Sequence, residues 1–349
     1  MGVVGVGYWG SQHMSVLRST TGVAAVTGID QRYAGQGGGQ TPDSDGVRFA
    51  DLAEALPSVD AVVIATPPSS HAALGLLAIA AGKHVLIEKP LAVRVTEARA
   101  LMAAAEAAGV VLMSGLTFEH NAAVRKLREL IRSGDLGRIY YLDFARLNLG
   151  LYRSDVNVIV ALAPYDISIA NFVLGSRPTT VAAWGSRQVH PAQEDVAHLR
   201  LDYADLRVRV NIHVSWLEPR QVWRVTAVGS KKIAIYDDMN AEGRIRVYDK
   251  APVDGEEPLS GLVCRPRDVV SPSIACSESL AVQDQHFVDC VLDGTRPATD
   301  GSSGLSVVQA LECAQISLAE QRPVALAEVS RQPAAAAART FAGAPPLPK

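Results

Sequence analysis

Residues 2–13 read GVVGVGYWGSQH, a short apolar run followed immediately by glycines at positions 5, 7 and 10. This GxGxxG spacing falls directly after a predicted strand and at the start of a predicted helix. In that context Gly5 permits a tight turn, Gly7 lets the backbone approach a pyrophosphate, and Gly10 lets the helix pack against the strand. The stretch therefore predicts a dinucleotide-binding turn rather than an ordinary glycine-rich loop.

Asp30 lies twenty residues after Gly10 and ends the second predicted strand. A carboxylate at this position can accept hydrogen bonds from the ribose hydroxyls of adenosine, and its charge would repel a 2′-phosphate. The sequence therefore favours NAD(H). Arg32 is close enough to pair with a 2′-phosphate, so NADP(H) stays possible, and the alternative for Asp30 is an ordinary solvent-facing turn residue.

The sequence around this turn alternates short β-rich runs with apolar helical stretches, as expected for βαβ units and a parallel sheet. The predicted strands are Gly2–Val6, Ala24–Ile29, Ala61–Thr66, His84–Ile87 and Val110–Ser114. The predicted helices are Gly10–Ser19, His71–Ala81 and Val95–Ala107. The fold class is therefore α/β, and residues 1–118 are predicted to form a dinucleotide-binding Rossmann domain with a doubly wound parallel sheet.

The pattern changes after residue 118. The predicted elements there are a helix at Asn121–Ser133, a strand at Ile139–Leu147 and a helix at Pro164–Leu174. Four predicted strands follow at Ala197–Leu201, Val208–Ser215, Trp223–Val228 and Lys232–Tyr236, and then a helix at Ser306–Ala319. We expect residues 119–330 to form an α+β domain with an open, mostly antiparallel sheet, and the Ala- and Pro-rich residues 331–349 to be a disordered tail.

Composition narrows the classes of function. Of the 349 residues, 48% are apolar and 20% are charged, as in globular proteins. The 33 basic and 36 acidic residues are interspersed, so no basic field is available for nucleic acid or an anionic membrane. The most apolar stretch, residues 72–82, is much shorter than the roughly 20 residues that span a bilayer. Because no signal peptide precedes the first strand, we expect a cytoplasmic protein that acts on a small molecule.

The potential metal ligands are scattered. Cys264, Cys276, Cys290 and Cys313 form no CxxC pair, which favours reduced thiols over a zinc site or a disulfide framework. The histidines, including His13, lie on different predicted elements. No metal site is therefore expected.

Two further segments resemble a known family. The segment AVVIATPPSSHAALGLLAIAAGKHVLIEKPLA at residues 61–92 has one strand ending in Ala-Thr-Pro and a later strand ending in Glu88, Lys89 and Pro90. LAPYDISIANFVLG follows at residues 162–175. With these motifs, almost the whole chain resembles the Gfo/Idh/MocA oxidoreductases, and most closely the branch of nucleotide-sugar 3-dehydrogenases and sugar ketoreductases.

The resemblance implies a set of cofactor contacts. Thr66, Pro67 and His71 are expected to line the cofactor cleft. Glu88 is expected near the nicotinamide ribose, and Lys89 is expected to reach both cofactor and substrate. The complete set predicted to bind the cofactor is Gly5, Gly7, Tyr8, Trp9, Gly10, Asp30, Thr66, Pro67, His71, Glu88 and Lys89.

The catalytic position departs from the branch. Relatives carry an aspartate or asparagine four residues before a histidine, where the first side chain can orient an imidazole base, and this chain has Ala161 and Tyr165. Other family members use a tyrosine near this place. We therefore predict that Tyr165 exchanges the substrate proton beside Lys89, whose ammonium would favour the phenolate. If Tyr165 is instead a neutral phenol, it suits ketone reduction, in which it donates a proton. The alternative to a catalytic role is that Tyr165 is buried only for packing.

Several polar residues are candidates for substrate binding. Arg146, Asn148, Arg153 and Asn157 lie in the segment that contacts the sugar or its phosphates in relatives, and guanidinium groups suit diphosphate oxygens. Asp166 either orders the site or caps the helix that begins there. For each of these residues, a structural role is as consistent with the sequence as a role in substrate binding. The resemblance also implies a sugar or sugar-nucleotide substrate and a homodimer or homotetramer formed through the open sheet.

Three functions remain open at this point. The leading one is an NAD(H)-dependent sugar oxidoreductase in which Lys89 and Tyr165 handle the proton. The second uses the cofactor transiently or not at all, in an epimerisation or elimination, and is motivated by the missing carboxylate–histidine pair. The third is a non-catalytic dinucleotide sensor, against which the retained Glu88-Lys89-Pro90 motif argues.

Overall fold

The computed structural model describes residues 1–33, 48–149, 156–189, 191–241, 243–249, 268–274 and 277–330. Arg153, Cys264, Cys276 and the predicted tail at 331–349 lie outside the described residues. Within the described ranges, no helix is long and apolar enough to cross a membrane.

The N-terminal part of the chain forms a six-stranded parallel sheet. Its strands are β1 (Gly2–Val4), β2 (Thr27–Ile29), β3 (Arg48–Phe49), β4 (Ala61–Ile64), β5 (His84–Glu88) and β6 (Leu112–Gly115). Its helices are α1 (Tyr8–Leu17), α2 (Leu52–Ala55), α3 (Pro68–Ala80) and α4 (Val95–Ala108). The strand order, β3-β2-β1-β4-β5-β6, reverses direction at β1 and confirms the predicted doubly wound Rossmann sheet.

Burial explains why this sheet forms. Strands β1 and β4 are buried along their whole length, because a parallel sheet is covered on both faces. Helix α1 approaches β1 closely, since Gly10 has no side chain: a Cβ there would overlap the carbonyl oxygen of Gly5. This close approach places the N-terminus of α1 directly above the carboxyl end of β1.

The C-terminal part forms a second sheet of nine strands. Its strands are β7 (Ile139–Leu149), β8 (Thr180–Ser186), β9 (Val196–Tyr203), β10 (Val208–Ser215), β11 (Leu217–Gly229), β12 (Ile233–Asp237), β13 (Ile245–Tyr248), β14 (Val269–Val270) and β15 (Val324–Ala325). The helices are α5 (Ala122–Arg132), α6 (Val158–Leu174), α7 (Ser279–Asp293), α8 (Gly301–Glu320) and α9 (Leu326–Ser330). Among the strand pairs of the described residues, only β7–β10 is parallel, which confirms the predicted open, mostly antiparallel sheet.

The two faces of the second sheet differ. Its inner face, which includes Leu142 and Phe144, is buried beneath α5, α6 and α8. Its outer face carries the alternate side chains, among them Asp143 and the half-exposed Trp184. The inner face therefore positions residues toward the Rossmann domain, and the outer face borders a shallow groove of about 550 Å³.

Helix α6 begins earlier than predicted. It starts at Val158 rather than at Pro164, because the Asn157 side chain accepts a hydrogen bond from the backbone N–H of Val160 and caps the helix. Pro164 is accommodated inside the helix. The suggestion that Asp166 caps a helix start is therefore wrong, and its carboxylate lies buried in the middle of α6.

Helix α7 was not predicted, and it joins the two halves of the chain. It packs against α1, and its Phe287 and Val288 share a core with Met14 and Leu17. Seven residues after its end, Asp300 forms a β-bridge with Met113 of β6. A helix near the C-terminal end thus helps to cover the first sheet.

Candidate active site

A turn at the carboxyl end of β5 forms the centre of the site. Glu88 ends the strand, and the peptide bond between the following two residues, Lys89 and Pro90, is cis. His71 of α3 connects this turn to the neighbouring one: its Nδ1 lies 2.8 Å from the Pro90 carbonyl oxygen and its Nε2 lies 2.8 Å from that of Thr66. His71 is thus a buried brace between two turns of the cofactor cleft.

The dinucleotide turn has the shape that the motif predicts. Gly5 has a positive φ of 83°, and Gly7 precedes α1 without a side-chain cap on its first N–H groups. A Cβ on Gly7 would meet open space, so the backbone there can be approached closely. Tyr8 and Trp9 are exposed beside it. An uncapped helix N-terminus with an open approach fits a pyrophosphate.

Asp30 is held at the end of β2. Its Oδ2 accepts a hydrogen bond of 2.8 Å from the N–H of Val6 and lies 3.0 Å from a guanidinium nitrogen of Arg32. Burial opposes its charge, but the hydrogen bonds from Arg32 and Val6 outweigh this and lower the pKa of Asp30. An ionised carboxylate beside the glycine turn fits an adenosine ribose and disfavours a 2′-phosphate.

His13, which the sequence did not assign to the site, lies buried between two carboxylates. Its Nε2 is 3.1 Å from Glu88 Oε1 and its Nδ1 is 2.9 Å from Asp284 Oδ2 of α7. Burial disfavours the imidazolium, but the charges and hydrogen bonds of Asp284 and Glu88 outweigh it and raise the pKa of His13 to about 10. His13 is therefore a buried cation that fixes the side chain of Glu88.

Glu88 remains ionised in this environment. Burial acts to raise its pKa, but the hydrogen bond and charge of His13 and the charge of Lys89 together lower it. Its Oε2 also accepts a hydrogen bond from the backbone N–H of Lys89. The carboxylate thus holds the start of the Lys89 turn.

The structure brings the two predicted catalytic residues together. Lys89 Nζ lies 4.1 Å from the centroid of the Tyr165 ring and donates a hydrogen bond of 3.1 Å to the Ala161 carbonyl oxygen. Burial, and to a lesser extent the charge of Glu88, raise the pKa of Tyr165 well above its usual value. Because the ammonium lies over the ring face and burial dominates, Tyr165 is a neutral phenol.

Arg146 forms a buried ion pair below this contact. Its Nε and Nη2 donate to the Asp166 carboxylate at 3.0 and 2.7 Å. Three aromatic rings surround its guanidinium carbon, whose distances to the centroids of Phe118, Tyr165 and Trp223 are 4.8, 5.1 and 5.1 Å. Asp166 therefore orients Arg146 within an aromatic cluster on the inner face.

The other substrate candidates separate into two groups. Asn148 lies on the inner face two residues after Arg146. Asn157, besides capping α6, donates hydrogen bonds of 3.0 Å to Glu194 and Gln315. Its side chain is thus occupied by structural contacts, whereas Asn148 lies with the site.

Sequence reasoning missed aromatic members of the site. Neither Trp223 nor Phe118 was predicted to be a site residue. Phe118 contacts Tyr165 edge-on at 5.1 Å, and Trp223 lies opposite Arg146 in the β7–β11 pairing. Side-chain alternation along β7 and β11 could have predicted that Arg146 and Trp223 share a face. That prediction needs the register between the two strands, which the sequence does not give. In the described part of the chain, no group of three or more His, Cys, Asp and Glu side chains is placed to hold a metal.

Fold and site together define a dinucleotide-binding oxidoreductase, in which a turn of the Rossmann domain presents a lysine to helix α6. The chain belongs to the Gfo/Idh/MocA oxidoreductase family. The model for the oxidoreductase family with an NAD-binding Rossmann fold matches residues 1–116, and the model for the family's C-terminal domain matches residues 124–235. These ranges take in more than half of the chain and confirm the predicted family and its NAD-binding domain.

Named relatives cover much of the chain. D-apiose dehydrogenase from Paraburkholderia graminis is 25% identical over an alignment of 358 positions, gaps included, which covers 98% of this chain and 93% of the relative. UDP-N-acetylglucosamine 3-dehydrogenase from Acidithiobacillus ferrooxidans is 31% identical over 185 residues, 53% of this chain and 57% of the relative. The crystal structure of GenD2 from gentamicin A biosynthesis in complex with NAD has a TM-score of 0.76 at 25% identity, covering 93% of this chain and 95% of that one.

Proposed function

We propose that the protein is an NAD(H)-dependent sugar oxidoreductase. It transfers a hydride between the nicotinamide and a carbinol or ketone carbon of a nucleotide sugar or glycosylated intermediate. The observation that carries the proposal is the contact of Lys89 Nζ, from the Rossmann domain, with the Tyr165 ring on α6. Two groups that can handle a substrate proton thus meet beside the dinucleotide turn. The names of the relatives, which are dehydrogenases of D-apiose and UDP-N-acetylglucosamine, support a sugar substrate.

The residues of the Rossmann domain fit a bound dinucleotide. Gly5, Gly7 and Gly10 would hold the pyrophosphate at the start of α1. Asp30 would accept hydrogen bonds from the adenosine ribose, and Glu88 would face the nicotinamide ribose. When bound, the cofactor supplies a hydride to the substrate carbon or removes one from it.

Lys89 and Tyr165 supply the proton chemistry. In the reducing direction, the Lys89 ammonium polarises the ketone oxygen while the carbon gains a hydride, and Tyr165 donates its phenolic proton to the developing alkoxide. Tyr165 then recovers its proton from solvent, so that ketone, NADH and one proton give alcohol and NAD⁺. The raised pKa of Tyr165 favours this direction, because the phenol retains its proton until an alkoxide forms.

A second function follows from the departure at Ala161 and Tyr165. Without a carboxylate to orient a base, the same site could bind the cofactor and catalyse an epimerisation or elimination with no net redox change. Deuterium on the substrate carbinol carbon distinguishes the two functions. Net transfer of the label to the nicotinamide supports the oxidoreductase, whereas its return to product at constant NADH supports the second function.

A single-turnover assay tests the proposal. NADH- or NAD-loaded protein is mixed with keto- and hydroxy-sugar nucleotides and the nicotinamide absorbance is followed. We expect one direction to give turnover, and expect Tyr165→Phe to lower its rate by about 10²- to 10⁴-fold at unchanged NADH affinity. Tyr141→Phe, on the outer face, is the matched control. Full activity of Tyr165→Phe would refute the role of the phenol.

We also propose that the outer face forms a homodimer or homotetramer contact. Trp184 is 55% exposed there, beside the stacked rings of His198 and His213. A large exposed aromatic on an open sheet favours a protein interface. Sedimentation velocity should show a dimer or tetramer that Trp184→Glu weakens, and a wild-type monomer at micromolar concentration would contradict the proposal.

A further inference from the structure

Three polar atoms on the inner face are buried without a hydrogen-bond partner among the described residues. They are Arg146 Nη1, Asn148 Oδ1 and Trp223 Nε1. Arg146 and Asn148 are alternate residues of β7, and Trp223 of β11 is paired in register with Arg146. The three therefore share one side of the sheet, next to Tyr165. Because buried polar groups are normally hydrogen-bonded, this cluster indicates a ligand that supplies the partners.

The positive charge of Arg146 is paired with Asp166, so its guanidinium can act toward a ligand as a hydrogen-bond donor. Its Nε and Nη2 are bound to the Asp166 carboxylate, and its side chain is only 3% exposed. Nη1 is the remaining edge of the guanidinium. An anion on that edge would compete with a carboxylate that already neutralises the charge, whereas an uncharged acceptor would not.

The rest of the centre is balanced in the same way. Lys89 lies beside Glu88, and His13 lies between Glu88 and Asp284. Together with the Arg146–Asp166 pair, three cations face three carboxylates. A further carboxylate on the substrate would enter this buried centre without a counter-charge, which is unfavourable.

The donor and acceptor pattern matches hydroxyl groups. The guanidinium and indole N–H groups need an acceptor, and the Asn148 carbonyl oxygen needs a donor. A hydroxyl group supplies both, whereas a carboxylate only accepts. Rings of Phe118 and Trp223 nearby offer an apolar surface for the C–H face of a sugar ring.

We propose that Arg146, Asn148 and Trp223 form a hydroxyl-binding subsite that selects an uncharged sugar ring and rejects a uronate at the reacting centre. The inference rests on the proposed function and deepens it by naming the substrate class. A nucleotide or glycosyl group elsewhere on the substrate is compatible with it, because only the reacting ring lies at the subsite.

Ligand-observed saturation-transfer NMR on the NADH-loaded protein tests this subsite. The probes are methyl β-D-glucoside, methyl β-D-galactoside and the two corresponding methyl uronides. We expect a neutral probe to bind at least about tenfold more tightly than its uronide, and Trp223→Phe, which removes one N–H, to weaken that binding about fivefold. Trp184→Phe on the outer face is the matched control and should bind as wild type. Circular dichroism confirms that both variants fold.

Three results would overturn the subsite. They are equal or tighter binding of a uronide, unchanged neutral-sugar affinity in Trp223→Phe, and no binding by any probe. None of them refutes the oxidoreductase itself, because NADH turnover with a carbonyl substrate is measured separately. If the wild-type protein instead shows no NADH turnover with any carbonyl substrate but still binds neutral sugars more tightly than uronides, the proposed function is refuted and the subsite is supported.

Discussion

The two sides of the cleft differ in how their buried polar groups are satisfied. On the cofactor side, formed by His13, His71 and Glu88, each side chain has protein partners. On the substrate side, formed by Arg146, Asn148 and Trp223, each keeps one buried atom without a partner in the described residues. The cofactor side is therefore organised by the fold, whereas the substrate side is completed by its ligand. Substitutions should consequently affect stability or NAD affinity on the first side and sugar affinity on the second.

Lys89 lies where the two sides meet, and its loss should have the largest effect. We expect Lys89→Ala to lower the single-turnover rate by about 10³- to 10⁴-fold, because the ammonium that polarises the substrate oxygen is removed. The NADH dissociation constant should change by less than about threefold, as measured by fluorescence titration. Lys83→Ala, at the opposite end of β5, is the control. A variant that loses NADH binding instead would assign Lys89 to the cofactor side alone.

His13 tests whether the cofactor side depends on its buried ion pairs. His13→Leu leaves Asp284 buried without its cation and leaves Glu88 with Lys89 as its remaining cation, so we expect the free energy of unfolding in urea to fall by about 3–5 kcal/mol. Glu106→Leu, at an exposed position on α4, should change it by about 0.5 kcal/mol or less. Equal stability of the two variants would show that the ion pairs contribute little.

The pH dependence of stability gives an independent test of the same group. The pKa of folded His13, about 10, lies above the 6.5 of an ordinary histidine. Its stabilisation is therefore complete below pH 6.5 and is lost as the pH rises toward 10. Wild-type protein should lose free energy of unfolding across this window, and His13→Leu should lose less. Parallel profiles would contradict a protonated His13.

Substitutions in the glycine turn should distinguish effects on thermal stability from effects on cofactor affinity. Gly7→Ala adds a methyl group into open space, so we expect the melting temperature to stay within about 2 °C while the NADH dissociation constant rises at least about tenfold. Gly10→Ala places its methyl against the Gly5 carbonyl and should lower the melting temperature by about 10 °C or more. Similar melting temperatures for both variants would refute this distinction.

Asp30 should give the smallest effect. Asp30→Asn removes the charge that repels a 2′-phosphate but keeps the side-chain size. We expect NAD affinity to fall about threefold and the preference for NAD over NADP to narrow by about fivefold, as measured by titration with both cofactors. Asp60→Asn, just before the amino end of β4, is the control. An unchanged preference would assign cofactor choice to other residues.

Local spacing was sufficient to predict the cofactor side in part. The glycine triplet and Asp30 are close to strand ends, which are readable from short apolar runs, whereas the turn at Lys89 was identified through the family resemblance. His13 was missed because its second partner, Asp284, lies 271 residues away, so no local pattern links them. Long-range pairs of this kind depend on the packing of α7, which the sequence analysis did not predict.

The substrate side was harder to predict for a different reason. Arg146 and Asn148 were identified through the family resemblance, but Trp223 required the register between β7 and β11, which spacing does not give. The start of α6 was misplaced because Pro164 was read as a helix start, although Asn157 supplies the stronger cap. The roles of these residues stay predictions until the variants above are measured.

Helix α7 also constrains the order in which the chain can fold during synthesis. Residues 1–118 leave the ribosome long before Phe287 and Asp284, which cover α1 and complete the pairing of His13. We expect a fragment of residues 1–118 to remain sensitive to protease and the full-length chain to be resistant. The cofactor-binding half of this protein would then be among the last parts of the chain to mature, although its amino acids are translated first.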